Sequence, residues 1–313
     1  MKLSALVTGG AGFIGSHLVR RLLQEGYNVR VIDNLATGFV KNLDEVKDDI
    51  VFIEGDIRDG DQVLAATEGM DCIFHQAAMA SVPRSIAEPA MTHEVNVMGT
   101  LNILEAAKIK QVPRVVMASS SSVYGDTPTL PKDESMPPSP LSPYATHKFA
   151  NELYAYQYFL HYGIETICLR YFNIFGPRQD PNGAYAAVIP CFVKNIRNGV
   201  PPRINGDGQH SRDFTFVANA VEGNLLASKA DGVGGEVFNI ATGHRVTIQE
   251  LAEEIAESFD WRGGIEHGPA REGDILHSYA DISKAEKKLG YQPMVSFEDG
   301  LSVTVDWFRE LEF

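Results

Sequence analysis

Tyr144 and Lys148 stand four residues apart in the stretch Y-A-T-H-K. At the start of a helix, that spacing places both side chains on one face. An ammonium beside a phenol favours the phenolate and draws its pKa down from about 10 toward neutrality. A tyrosine so tuned can take a proton from an alcohol hydroxyl. On most helices such a pair is a packed tyrosine and a solvated lysine, and only position gives it weight. Here the apolar run Arg114 to Ala118 ends in four serines, Ser119 to Ser122, and the Tyr-Lys helix follows after a proline-rich loop. Ligands gather at the carboxyl ends of strands in an open parallel sheet. Four serines read as a polar turn or helix cap, but one of them could hydrogen-bond the reacting oxygen.

Proton removal from an alcohol needs an acceptor for what leaves with it, and the first residues of the chain supply a binding pattern. Leu3 to Val7 has the length and residues of a buried parallel strand. It breaks at Thr8-Gly9-Gly10-Ala11-Gly12, and a helical pattern follows with Phe13, Leu18 and Leu22 on its apolar side. Gly9, Gly12 and Gly15 are spaced G-x-x-G-x-x-G. The first can make the tight turn, the second lets backbone approach a pyrophosphate, and the third lets the helix pack closely. The helix N-terminus offers N–H groups and a positive dipole end to phosphates. A second strand, Asn28 to Ile32, ends at Asp33, 18 residues past Gly15. A carboxylate there accepts hydrogen bonds from an adenosine ribose and repels a 2′-phosphate. The pattern is that of a dinucleotide site, for NAD rather than NADP.

These groups need elements to hold them. A polar loop runs from Asp33 to Asp48, then a third strand, Ile50 to Glu54, ends at Gly55-Asp56-Ile57. Helical pattern over Gly60 to Thr67 leads to a fourth strand, Cys72 to Gln76, running into Ala77-Ala78. A long helix is expected over Pro89 to Lys110, a fifth strand over Arg114 to Ala118, a helix over Tyr144 to Tyr162 and a sixth strand over Glu165 to Arg170. This alternation predicts an α/β fold, a Rossmann-type doubly wound parallel sheet. Past Asn173 the texture changes. Pro177 to Tyr185 reads as loop, Val188 to Asn198 as helix, Val237 to Ile240 as strand, and Ile248 to Phe259, Asp281 to Leu289 and Leu301 to Leu311 as helices. We expect an NAD-binding domain over 1–173 and 212–243. A smaller mixed α/β substrate-binding region is expected over 174–211 and 244–313, in the same compact body.

Composition narrows the classes. A hydrophobic content of 44% and a charged content of 22% suit a globular protein of 313 residues. The formal charge of −14 makes nucleic acid or an anionic membrane surface a poor main partner, and an anionic substrate would need local arginines. No apolar run approaches the roughly 18 residues of a membrane span. The run after Met1 is too short for a signal peptide and continues into the glycine turn. Cys72, Cys168 and Cys191 have no metal-ligand spacing, so no metal is expected. Cys72 and Cys168 read as small buried hydrophobes, in keeping with a reducing cytoplasmic location.

T-G-G-A-G-F-I-G-S, N-V-M-G-T at Asn96 to Thr100, S-S-S-S-V-Y-G at Ser119 to Gly125, Y-x-x-x-K, R-Y-F-N at Arg170 to Asn173, S-R-D-F at Ser211 to Phe214 and R-E-G-D at Arg271 to Asp274 span nearly the whole chain. Together they resemble the extended short-chain dehydrogenase/reductase family, and within it the UDP-hexose 4-epimerases. The related nucleotide-sugar dehydratases carry an Asp-Glu pair before V-Y-G, where this chain has Ser121-Ser122. The resemblance implies that Ser120 hydrogen-bonds the sugar 4-hydroxyl with Ser121 beside it, that Tyr144 is the base, and that Lys148 also holds the nicotinamide ribose. It implies NAD contacts from Gly9, Gly12, Phe13, Ile14, Gly15, Asp33, Asn34, Asp56, Ile57, Gln76, Ala77, Ala78, Asn96, Tyr144, Lys148 and Tyr171. For a UDP-sugar it implies Ser81, Ser120, Asn173, Val188, Asn205, Arg212, Arg271, Asp274 and Ser278. Two arginines suit a diphosphate, whose oxygens guanidinium groups meet bidentately.

In these epimerases the residue seven places after the Arg of R-E-G-D lines the sugar pocket. A tyrosine there goes with rejection of N-acetylated sugars; here it is Ser278. The resemblance therefore implies interconversion of UDP-GlcNAc and UDP-GalNAc as well as UDP-glucose and UDP-galactose. The rivals are a UDP-glucuronate 4-epimerase or decarboxylase, which would want an extra cation such as Arg84, and a non-catalytic NAD-sensing protein. A homodimer is also expected. The helices near 89–110 and 144–162 carry apolar residues beyond one stripe, with Tyr154, Tyr158 and Phe159 on the second.

Overall fold

A computed structural model describes residues 2–181, 187–270 and 275–311. Its centre is a seven-stranded parallel sheet. In chain order the strands are β1 (Ser4–Thr8), β2 (Asn28–Asp33), β3 (Ile50–Glu54), β4 (Cys72–His75), β5 (Arg114–Ser120) and β6 (Glu165–Tyr171), with Val237–Ile240 at one edge. The spatial order is Val237–Ile240, β6, β5, β4, β1, β2, β3, and every pairing is parallel. The fold is the expected Rossmann-type doubly wound α/β sheet. The chain steps outward from β1 to β2 and β3, then crosses back to place β4 on β1's other side. A crevice opens where the order reverses, at the carboxyl ends of β1 and β4.

Successive side chains on a strand point to opposite faces, and both faces here are covered. Ala5, Val7, Val31, Phe74 and Val116 pack with Leu18, Val19 and Leu22 of the helix Phe13–Gln24 and with Val217, Ala220 and Val221 of the helix Val217–Lys229. Leu6, Ile32, Ile73, Val115 and Met117 pack with Ile103, Leu104, Ala107 and Ala155 on the opposite face. Cys72 and Cys168 are buried among these groups, and burial pushes both thiols up, Cys72 to about 12.

The Tyr-Lys helix runs from Pro143 to Tyr162. Ser142 caps it, its Oγ accepting from Ala145 N at 3.2 Å, Pro143 occupies the first turn, and Gly163 closes it in the left-handed conformation at φ 70°. The region expected as one helix over Pro89 to Lys110 is divided. Pro89–His93 and Gly99–Ile109 are α-helical, and Glu94–Met98 is a π turn. The Asn96 carbonyl accepts from Thr100 Oγ1 at 2.7 Å and Asn151 Nδ2 at 2.8 Å, side chains that intrude on the helical ladder. The loop after Asp33 also contains a 3-10 segment, Val40–Val46.

Beyond Asn173 lie strands of two or three residues, too short for an alternating pattern to announce. Arg203–Asn205 pairs with Glu266–Gly268, and Ser211–Arg212 lies between Val246–Thr247 and His277–Ser278. Asp213 ties these pieces to the main sheet. Its buried carboxylate accepts from Thr242 N and Oγ1 at 2.9 and 2.7 Å, from Gly243 N at 3.0 Å and from Ala280 N at 3.3 Å. Phe175, Phe214, Phe216 and Phe297 meet with ring centroids 5.7–6.4 Å apart, and one apolar cluster continues from Ala5 to Phe308.

The second apolar stripe differs from expectation in its members. Tyr158 is buried within its own chain, with its hydroxyl on Glu105, and Phe159 lies against Gly234 and Gly235. The exposed apolar residues of this helix are Leu153, Tyr154, Tyr156, Leu160 and Tyr162, with Met98 on the neighbouring π turn. No helix among the described residues is long and apolar enough to cross a membrane, and among them no His, Cys, Asp and Glu cluster could hold a metal ion.

Candidate active site

Two of the three glycines are demanded by space. Gly9 has φ 68°, and a Cβ there would lie 2.8 Å from Ala77 Cα at the end of β4. A Cβ on Gly15 would lie 2.1 Å from the Gly9 carbonyl oxygen. The third glycine therefore serves contact with the turn itself, not contact with the strand. Gly12 occupies the cap position of the helix Phe13–Gln24, with no side chain bonded there. Over this turn opens a cavity of about 700 Å³, lined by Gly9, Gly12, Phe13, Ile14, Gly15, Asp33, Asn34, Ile57, Gln76, Ala77, Ala78 and Ser81 among others. Asp33 accepts from Ala11 N at 2.9 Å and Leu35 N at 2.8 Å, which fixes its carboxylate at the cavity wall. Burial raises its pKa, and those two N–H groups oppose the rise.

The remaining residues expected at the dinucleotide have committed polar atoms. Asp56 pairs with Arg58 at 2.7 Å and accepts from Asn34 at 2.9 Å, and Arg58 holds its carboxyl down to about 2. Asn96, buried, clasps Met79 through both backbone groups, at 2.7 and 3.1 Å. Tyr171 Oη donates to Gln76 Oε1 at 3.2 Å and accepts from Asn224 Nδ2 at 2.6 Å, while Gln76 Nε2 donates to Asn224 Oδ1 at 2.9 Å. Asn224 carries no sequence signal, since its partner Gln76 is 148 residues away. Beneath the turn, the Thr8 hydroxyl lies 2.7 Å from His75 Nδ1 and the Thr100 hydroxyl 2.9 Å from His75 Nε2. Burial holds that imidazole down to about 3. Neither His75 nor its two threonines was singled out from the sequence.

Tyr144 lies in the first turn of its helix, and its N–H donates to Ser85 Oγ at 3.0 Å. Ser85 belongs to the helix Val82–Ala87, capped by Ser81 and walling the cavity through Arg84 and Ala87. Ser120 ends β5, its Oγ accepting from Ser122 N at 3.2 Å and Ser122 Oγ at 2.9 Å, and Ser121 begins the following 3-10 turn. Lys148 Nζ donates to the Ala118 carbonyl at 2.8 Å and sits 5.9 Å from the Tyr144 ring centroid. The expected lowering of the phenol's pKa is not seen in the protein alone. Burial raises it, Ser120 opposes the rise by hydrogen bonding, and burial pushes Lys148 down to about 8. Lys148 is buried and Tyr144 half-buried, so the ionisation of each depends on charges brought near it.

A second cavity, of about 260 Å³, brings together Asn173, Val188, Asn205 and Arg212. Its walls share Gln179 and Ala187 with the larger cavity. Asn173 has φ 34°, and its carbonyl accepts from Thr215 N at 3.3 Å. Ser278 is buried and lies opposite Arg212 in the short parallel pair, with its carbonyl accepting from Asp213 N at 2.9 Å. Arg271 and Asp274 lie outside the described residues.

The NAD dependent epimerase/dehydratase family matches residues 5–241. The chain is 41% identical over 308 residues to UDP-glucose 4-epimerase of Mycolicibacterium smegmatis, covering 97% of this chain and 98% of that one. UDP-N-acetylglucosamine 4-epimerase from Methanobrevibacter ruminantium M1, solved with UDP-N-acetylmuramic acid, superposes with a TM-score of 0.94 at 41% identity, covering 99% of each chain. UDP-glucose 4-epimerase from Thermotoga maritima, solved with UDP-glucose, gives 0.94 at 38% identity, covering 98% of this chain and 99% of that one. A Cβ-free cradle, an acidic residue at the end of β2 and a helix N-terminus between them fit the dinucleotide that this family uses. With the likeness running the length of the fold, the chain belongs to the NAD dependent epimerase/dehydratase family and is an NAD-dependent enzyme.

Proposed function

We propose that the protein is a UDP-hexose 4-epimerase that acts on UDP-GlcNAc and UDP-GalNAc as well as on UDP-glucose and UDP-galactose. The observation that carries the reading is the half-buried Tyr144 with the buried Lys148 beside it and Ser120 near, at the strand end next to the glycine cradle. The similarity to 4-epimerases of both kinds of hexose supports it. Bound in the cradle by Gly9, Gly12, Phe13 and Asp33, NAD supplies the acceptor and donor of hydride at C4 of the sugar. Tyr144 Oη takes the proton of the C4 hydroxyl and gives it back to the same oxygen after the 4-keto sugar has turned over. Ser120 Oγ donates to that oxygen and holds it in reach. Lys148 stabilises the phenolate through its charge.

The hexose must offer either face to one tyrosine, so the grip belongs at the nucleotide end. In this reading Asn205, from a substrate region over 174–211 and 244–313, and Arg212, at the start of the adjoining segment 212–243, hold the UDP in the smaller cavity. The dehydratase alternative lacks its Asp-Glu pair, since Ser121 and Ser122 stand there. A glucuronate substrate would want an extra cation, and Arg84, which walls the larger cavity, lies 3.7 Å from Glu88 and 3.4 Å from Met79 Sδ. Turnover of a panel of UDP-sugars, with UDP-glucuronate included, tests the substrate. Tyr144→Phe tests the chemistry. It should lower turnover by roughly two to four orders of magnitude while NAD binding persists. Retention of more than about a tenth of the activity would remove Tyr144 from the role of base.

A further inference from the structure

The carboxyl end of β5 is held by two residues of one helix, four apart. Lys148 Nζ donates to the carbonyl of Ala118 at 2.8 Å, and Glu152 Oε1 accepts from the hydroxyl of Ser119 at 2.5 Å. The next residue is Ser120. Glu152 also accepts from Arg170 on β6, at 2.8 Å from Nε and 2.6 Å from Nη2, and both side chains are only 4% exposed. Arg170 is the register partner of Ser119, and its guanidinium lies 4.5 Å from the centroid of the Tyr124 ring. A buried ion pair of this kind returns little stability over apolar residues of similar volume, so its place beneath the reacting residues asks for another account.

Lys148 faces several ionisable groups. On its own helix are Tyr144, His147 and Glu152; on β4 is His75; on β6 is Cys168, while Arg170 of β6 is joined to Glu152. Burial keeps both histidines and the Cys168 thiol uncharged near neutrality. That leaves Glu152 as the anion facing two cations, Arg170 and Lys148. We infer that Glu152 is a positioning residue: it pins Ser119, and so Ser120, while its carboxylate balances Arg170 and keeps Lys148 an ammonium beside Tyr144. Without it, two buried cations would share the space, and the lysine is the one that can shed its proton. The direction agrees with Glu152 pushing the Lys148 pKa up against the lowering by burial.

This inference rests on the proposed role of Lys148, and the test separates the two. The Lys148 signal is followed by carbon-13 NMR of lysine-labelled holoenzyme from about pH 6 to 10, assigned by its loss in Lys148→Met. The pH profile of kcat/KM for 4-epimerisation is recorded in parallel. In Glu152→Gln the midpoint for Lys148 should fall by about one pH unit or more, a tenfold shift in its ionisation, and the alkaline limb of kcat/KM should fall with it. The double variant Glu152→Gln/Arg170→Gln, which removes both charges, should bring the midpoint back. If Glu152→Gln does not fold, Arg170→Gln alone carries the test, and its midpoint should rise. An unmoved Lys148 midpoint in whichever single variant folds would overturn the inference. A midpoint that moves while the kinetic limb stays would uphold the charge balance and instead refute the role given to Lys148 in the reaction.

Discussion

His75 ties the floor of the dinucleotide site to the acid stability of the whole protein. The Thr100 hydroxyl donates to the Asn96 carbonyl, so it accepts from His75 Nε2–H; Nδ1 of that neutral tautomer is then an acceptor, and the Thr8 hydroxyl, which also accepts from Ala77 N, donates to it. Both ring nitrogens are used by a neutral imidazole. Protonating Nδ1 would cost Thr8 its acceptor in a buried space. Burial, with the Lys148 charge adding to it, holds the pKa at about 3, against about 6.5 in the unfolded chain. The unfolded state then binds a proton that the native state refuses. The stability from this group is complete above the unfolded value and is lost as pH falls through it, until the folded value is reached. Between about pH 7 and pH 5 the loss integrates to about 2 kcal/mol, with a slope nearing about 1.4 kcal/mol per unit. Urea unfolding of the wild type and His75→Gln at both pH values, at one ionic strength, measures it as a difference of differences. The glutamine variant should lack about 2 kcal/mol of the wild type's acid loss, whatever its stability at neutral pH. Equal pH dependence in the two proteins would refute the reasoning, as would a His75 ring proton that titrates near pH 6 by NMR.

Other perturbations probe the cradle, the sugar pocket and the surface. Gly15→Ala puts a methyl 2.1 Å from the Gly9 carbonyl. The turn must move, at roughly 1–3 kcal/mol, and NAD titration by fluorescence should show about tenfold weaker binding or worse. Ser278→Tyr adds a bulky ring to a buried position beside Arg212. It should abolish epimerisation of UDP-GlcNAc and leave that of UDP-glucose largely intact, and a variant that still converts UDP-GlcNAc well would separate Ser278 from sugar choice. Leu153 and Leu160, with Tyr154 and Met98, form an uncovered apolar face. Light scattering at micromolar protein should give a dimer mass, and Leu153→Glu/Leu160→Glu should give a monomer.

The parallel sheet was legible because its strands are buried on both faces and read as short apolar runs, and because Gly9, Gly15 and Asp33 meet steric and charge demands that few other residues satisfy. The helix bearing Tyr144 was legible over Tyr144 to Tyr162, within a residue of its observed Pro143–Tyr162. Less legible was everything that depends on distant pairing. The strand Arg203–Asn205 exists only because Glu266–Gly268 lies beside it. The clasp among Tyr171, Gln76 and Asn224 joins three remote positions. Tyr154 and Tyr158 look alike in a helical pattern, yet Glu105 draws one inward and leaves the other exposed. Glu152 was within reach, four residues past Lys148, but its meaning depends on Arg170 from another strand. The rise that burial gives the Tyr144 pKa was not legible, because spacing reveals a neighbouring charge and says nothing of desolvation.

The unbroken apolar cluster from Ala5 to Phe308 bears on how such a chain can diversify. A recombination crossover after residue 243 would take Phe175 and Phe214 from one parent and Phe297 from the other. It would also divide Asp213 from Ala280 unless both parents kept the same loop geometry. The segment after residue 243 is thus not an exchangeable cassette. Replacing single side chains on cavity walls, such as Val188 and Asn205, would instead reshape one surface of the space while its neighbours stay put.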